Sequence, residues 1–181
     1  KAALRRKHGI PASAKVVTHV GHLKGERNLA SLTTLGAAGG YYPLVVGSTS
    51  TEQEAHLKEA LQGEGVTVID TYVASIEDIY RLSDVYVFFA KEDTAAIEVP
   101  LSVLEAMACN LSVVCTPFGG LPDFFQQGRG LLYLNDPSEL LDAVATAVST
   151  PCATREIVES RTWSAAAQTV AGLLQASEVC S

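Results

Sequence analysis

Positive charge is scarce in this sequence, as are metal-binding cysteine patterns and long apolar runs. Lys and Arg total 13 against 20 Asp and Glu, giving a formal net charge of -7 and a pI near 5.0. Tracking a nucleic-acid backbone needs clustered cations. The only such cluster is Arg5-Arg6-Lys7, so no nucleic-acid partner is expected. The four cysteines (Cys109, Cys115, Cys152, Cys180) show neither C-x-x-C nor His-paired spacing, which excludes the common zinc frameworks. Two of them fall in predicted core elements, and all four read as reduced thiols of a cytoplasmic protein. No carboxylate pair has metal spacing, so no metal is expected. No apolar run approaches the roughly 18 residues of a membrane span, and no signal-peptide pattern is visible. Internal repeats and low-complexity segments are also missing.

What is present is alternation. The length of 181 residues suits one α/β domain with a substantial core. A basic helical stretch over 1–9 and the Ile10-Pro11 linker give a tail over 1–12, and the domain proper runs over 13–181. Apolar runs predict strands over 16–20, 42–46, 66–70, 85–89, 111–115 and 130–134. Helical patterns lie between them. One runs over 28–37, and a second ends near Leu61 with Ser50 or Thr51 as its N-cap. A third covers 75–83, opened by a Ser75-x-x-Asp78 capping box. Helices at 136–148, 154–160 and 163–176 close the chain. With right-handed crossovers this order predicts a Rossmann-like, doubly wound parallel sheet of about six strands, ordered 3-2-1-4-5-6.

The stretch over 97–125 organises the rest. From Val99 to Pro122 its only charged side chain is Glu105, set among apolar residues at helical spacing. A carboxylate there needs donors, because burying it unpaired is expensive. A buried strand follows, then Gly119-Gly120, then Pro122 and Asp123 opening another helix. A glycine turn at the carboxyl end of a parallel strand lets backbone approach a phosphate at a helix N-terminus. The first strand leads into a comparable turn, Gly21-His22-Leu23-Lys24-Gly25-Glu26-Arg27-Asn28. Arg27 at a helix start is disfavoured by the macrodipole, which points to an anionic partner. The loop over 90–96 (AKEDTAA) is polar and follows a strand's carboxyl end, where a polar ligand would be read.

These two turns carry a resemblance. Leu101-Ser102-Val103-Leu104-Glu105-Ala106-Met107-Ala108, with Thr116, Gly119, Gly120, Pro122 and Asp123, resembles the donor-binding half of GT-B-fold retaining glycosyltransferases of the family-four type (glycosyl transferases group 1). Gly21, Leu23 and Glu26 stand on the family's G-R-L-x-x-E-K-G turn, with His22 in place of its Arg and Arg27 in place of its Lys. Tyr80 and Asp84 match a further tyrosine and aspartate pattern. Two glutamates mark the family, with seven residues between them. The second is Glu105, while the first aligns with Ile97 and the nearest carboxylate is Glu98, one position late.

The resemblance implies a nucleotide-sugar donor as substrate and transfer of a hexose to an acceptor. Gly21, His22, Lys24, Arg27, Glu105, Thr116, Gly119 and Gly120 would bind the donor, with Glu105 on its ribose hydroxyls. Arg27 and Glu98 would be catalytic, and either His22 or Lys24 could supply the second cation on the diphosphate. It also implies that this chain, which begins at Lys1, is a C-terminal half whose N-terminal acceptor domain is missing. Any peripheral membrane attachment would belong to that domain. The helix from Trp163 would then fold back on this domain or expose apolar residues. Two other readings stay open. One is an inactive binding or scaffold domain of the same fold, and the other is a sugar-nucleotide epimerase, which would want more acid/base groups than the Gly119 region supplies.

Overall fold

The computed structural model describes residues 1–50, 53–90 and 95–179, with side chains as far as Gln175. Six strands form one sheet: β1 (Lys15–Gly21), β2 (Tyr41–Gly47), β3 (Thr67–Ile69), β4 (Val85–Phe88), β5 (Ser112–Cys115) and β6 (Leu131–Tyr133). Every pairing is parallel and the order is β3-β2-β1-β4-β5-β6, as the alternation predicts. Strands buried on both faces read as continuous apolar runs. Val17, Val45, Val85 and Val87 pack on one face with Leu35, Leu61, Leu140 and Val144. Alternate residues Tyr86, Phe88, Val113 and Cys115 pack on the other with Tyr80, Val103 and Met107. Truncating a fully buried side chain such as Leu35 or Leu140 to alanine would cost about 2–5 kcal/mol.

Nine α-helices among the described residues accompany the sheet. α1 (Ala2–Lys7), α2 (Thr33–Ala38), α3 (Ala55–Gly63), α4 (Ile76–Leu82) and α5 (Leu101–Ala108) come first. α6 (Leu121–Phe124), α7 (Leu140–Ser149), α8 (Thr154–Val158) and α9 (Trp163–Val179) follow. Three local expectations are corrected. The helix expected over 28–37 is two 3-10 turns, Gly25–Arg27 and Leu29–Leu32, before α2, because Asn28 takes a left-handed conformation (φ 50, ψ 37) that no helix can contain. Ser75 precedes α4 without a side-chain cap bond. Glu54, not Ser50, flanks α3, while Thr51 lies outside the described residues.

The basic tail is docked, not loose. Arg5 is buried, and its guanidinium donates to Leu82 O (2.9 Å), Ala14 O (3.0 Å) and Asp84 Oδ2 (2.6 Å). Asp84 also accepts from the Val16 amide (2.7 Å) and Lys1 Nζ (2.9 Å). Burial raises the Asp84 carboxyl, but the bonds from Lys1, Val16 and Arg5 outweigh it and hold the group below the usual carboxylate range. At the other end α9 exposes Trp163, Val170 and Leu173. Among the described residues no helix is long and apolar enough to cross a membrane.

Candidate functional site

β1 lies where the strand order reverses, with β2 on one side and β4 on the other, and ligands of open α/β sheets bind outside the carboxyl ends at such a point. A crevice of about 790 Å³ opens there, walled by Gly21, His22, Lys24 and Arg27 from the first turn. Gly47 at the end of β2, Ser48 after it, Tyr72 after β3, and Pro100, Leu101 and Ser102 at the start of α5 also line it. Backbone bonds stitch the first turn in place: Ser48 N donates to Gly21 O (2.7 Å) and Glu54 N to Leu23 O (3.1 Å). A Cβ at Gly47 would meet Leu23 Cδ1 at 2.5 Å, so a side chain there would have to displace the buried Leu23. α5 contributes its N-terminus, the positive end of the helix dipole, although Pro100 itself has no N–H.

Arg27 is the chemical centre of this crevice. Only 6% of it is exposed, its guanidinium lies 5.2 Å over the Phe88 ring, and its Nε has no hydrogen-bond partner among the described residues. Burial lowers its pKa, with Tyr86 and Glu26 acting in opposition, but an arginine stays charged at any working pH. A buried, unpaired donor on a charged group is costly, and an anion in the crevice would remove that cost. His22 sits beside it. Its pKa is lowered, first by burial and then by Arg27 and Lys24, with Glu26 opposing. The crevice thus offers Arg27, Lys24 and an imidazole whose protonation an arriving negative charge would favour.

His19, which the sequence reading passed over, lies beneath this wall. It is 1% exposed and stacked against Tyr86 and Phe88, with Nδ1 3.0 Å from Val87 O. Nδ1–H therefore donates to that carbonyl. Nε2 has no partner among the described residues and lies 3.0 Å from where a Gly21 Cβ would stand. Burial brings its pKa down to about 4, despite the bond to Val87. The signal for it was a lone polar ring inside the run Val16-Val17-Thr18-His19-Val20.

The remaining predicted residues do not join Arg27 in one concavity. Glu105 is exposed and borders a separate groove of about 730 Å³ between α5 and the start of α9, facing Arg161, Thr162 and Trp163. Leu101 walls both groove and crevice, so the two adjoin. Thr116 lies in a third hollow of about 400 Å³ with Asn28, Phe118 and Asn135, and its hydroxyl donates to Ala90 O (3.2 Å). Gly119 and Gly120 line none of these three hollows. The Gly120 amide is taken by Glu98 O (2.9 Å), and α6 behind it has only four residues. Glu98 is exposed and makes this contact through its backbone, while Ile97 beside it is 61% exposed. Of the polar loop expected to read a sugar, Lys91, Glu92, Asp93 and Thr94 lie outside the described residues. Among the described residues, no group of three or more His, Cys, Asp or Glu could hold a metal ion.

Comparison with known proteins agrees with this architecture. The sequence model for "Glycosyl transferases group 1" matches residues 15–150. Sucrose-phosphate synthase from Thermosynechococcus elongatus superposes with a TM-score of 0.77 at 21% identity, over 100% of this chain and 50% of that one. Anabaena HepE in complex with UDP-glucose gives a TM-score of 0.77 at 20% identity, over 97% of this chain and 52% of that one. A UDP-forming trehalose-phosphate synthase from Burkholderia vietnamiensis gives 0.71 at 17% identity, over 99% and 47%. The chain therefore spans about half the length of these structures, and at such identities they bear on the fold alone. No curated protein matches the sequence.

Proposed function

The chain belongs to the group 1 glycosyl transferases, and from that premise we propose that it is the donor-binding half of a retaining enzyme that transfers a hexose from a nucleotide sugar to an acceptor. The observation that carries this reading is Arg27, a buried cation with an unpartnered Nε at the carboxyl edge of a parallel sheet. In this reading the donor diphosphate lies in the crevice against Arg27, Lys24 and the start of α5. Leaving-group charge grows as the sugar–phosphate bond breaks, so fixed cations and a helix N-terminus stabilise the transition state more than the bound donor. That is catalysis by charge placement, and it requires no metal. The nucleoside would extend past Leu101 towards Glu105, whose carboxylate can accept both ribose hydroxyls.

HepE was solved with UDP-glucose and with UDP, so UDP-glucose is the first donor to try. The acceptor would be held by a second domain, which this chain lacks in this reading, and the isolated half would bind donor weakly without turnover. Cys109, Cys115 and Cys152 are free thiols, in keeping with a cytoplasmic setting, and any membrane attachment is left to the other half.

Calorimetry with UDP, ADP and GDP tests the binding step. Saturable binding that Arg27→Ala weakens by about tenfold or more supports the reading, and no binding to any of them ends it. One observation favours an inactive scaffold instead. Where the family's first glutamate aligns there is an exposed Ile97, and Pro100 offers no amide. A full-length protein that binds nucleotide but transfers from no donor in a broad panel would decide for the scaffold.

A further inference from the structure

Two tyrosines grip one face of α5. Tyr86 Oη lies 3.2 Å from Val20 O and 2.8 Å from Ser102 Oγ. With one proton to give, it donates to the carbonyl and accepts from Ser102. Tyr80, on α4, donates from Oη to Glu105 Oε2 at 2.8 Å. The direction of that bond is certain, because a carboxylate only accepts. Tyr80 is 1% exposed and meets Tyr86 edge-on, with ring centroids 5.8 Å apart. Burial, then Tyr86 and then the Glu105 charge push its phenol up, so it remains a donor at any working pH. Neither ring can turn without disturbing the core.

An exposed mid-helix glutamate normally samples many rotamers, and ordering it on binding opposes affinity. Glu105 differs, because one of its oxygens is tied to a rigid, buried donor. We propose that Tyr80 is a positioning residue for ligand recognition: it pins Oε2 of Glu105 so that the other oxygen is already ordered for the hydroxyls of a nucleotide's ribose. This rests on the reading of Glu105 as the ribose acceptor. The placement fits, since Glu105 follows Leu101 by one helical turn on the same face, and Leu101 is shared by the crevice and the groove. The bond also leaves three of the four lone-pair directions of the carboxylate open.

The test uses the 181-residue chain and two probes, UDP and 2′,3′-dideoxy-UDP, with affinities measured by calorimetry. The parent should prefer UDP by about tenfold or more, the scale of a hydrogen bond to a charged group. Tyr80→Phe should bind the dideoxy probe as the parent does but keep only about a threefold preference for UDP, a change that a merely structural role would not produce. Glu105→Gln should lose most of the preference, and adding Tyr80→Phe to it should change nothing further. A Tyr80→Phe protein that loses affinity for both probes alike, or keeps the full preference, overturns the proposal. A parent that binds UDP without preferring it overturns the Glu105 assignment and this proposal with it, while leaving the diphosphate site at Arg27 standing.

Discussion

Gly119 and Glu98 touch backbone to backbone: a Cβ on Gly119 would stand 2.4 Å from the Glu98 carbonyl oxygen, which also accepts from the Gly120 amide at 2.9 Å. Gly119 is left-handed as well (φ 51). Gly119→Ala therefore meets both strain and a clash with backbone, and should cost about 2–4 kcal/mol in urea unfolding. Gly9 also has a positive φ (66), but nothing lies within 4 Å of its Cβ position. Gly9→Ala should cost only about 1 kcal/mol, and equal costs would refute the close approach at Gly119.

Arg27 should trade stability against binding. Arg27→Met replaces a buried cation whose Nε has no hydrogen-bond partner among the described residues with an apolar side chain of similar length. Without ligand the variant should be more stable by about 1 kcal/mol, and UDP binding should weaken by about 1.5–3 kcal/mol. A variant both less stable and unchanged in binding would show that Arg27 is a structural residue.

His22 should make donor binding depend on pH. Its pKa is lowered in the free protein, so it is neutral at pH 7. A diphosphate favours the protonated form and raises that pKa, so binding takes up a proton and affinity rises as pH falls. Arg27, Lys24 and His19 oppose the added charge, and Glu26 supports it. The ratio of parent to His22→Gln affinity for UDP-glucose should grow between about pH 7.5 and 5.5. A constant ratio would exclude the imidazole from diphosphate contact.

His19 governs stability in acid. Its folded pKa of about 4 lies below the ordinary 6.5, so the unfolded chain binds the proton first. Stability is complete above pH 6.5, falls as pH drops towards 4 and loses nothing more to this group below that. The loss amounts to about 3 kcal/mol. His19→Asn keeps a donor for Val87 O and cannot titrate, so its denaturation midpoint should vary less across that range. An identical profile would mean that another group is responsible.

The fold was legible because the sheet is parallel. Its strands are apolar runs bounded by glycine, and each intervening helix forces a right-handed crossover, so the order follows from a handful of signals. Gly21, His22, Lys24 and Arg27 were legible as a group because one turn carries them all. Glu105 and Thr116 were expected beside Arg27, but the rotation of α5 and the splay of strand ends decide which hollow a side chain enters. No local pattern records either. Arg5 was read only as part of a basic helical tail because three adjacent cations look alike until one finds Asp84. The helix start at Asn28 misled for a local reason: asparagine tolerates the left-handed backbone that glycine would otherwise supply, and here it takes that role.

Trp163 is the only tryptophan in the chain, it is 82% exposed, and it stands on the rim of the groove that Glu105 borders. Its indole is thus an optical reporter built into the molecule. A ligand or a second domain that covers the groove must dehydrate that one ring, moving its emission to shorter wavelength and shielding it from iodide quenching. A ligand confined to the Arg27 crevice would leave both signals unchanged. Occupancy of the two hollows can therefore be told apart in solution without a label.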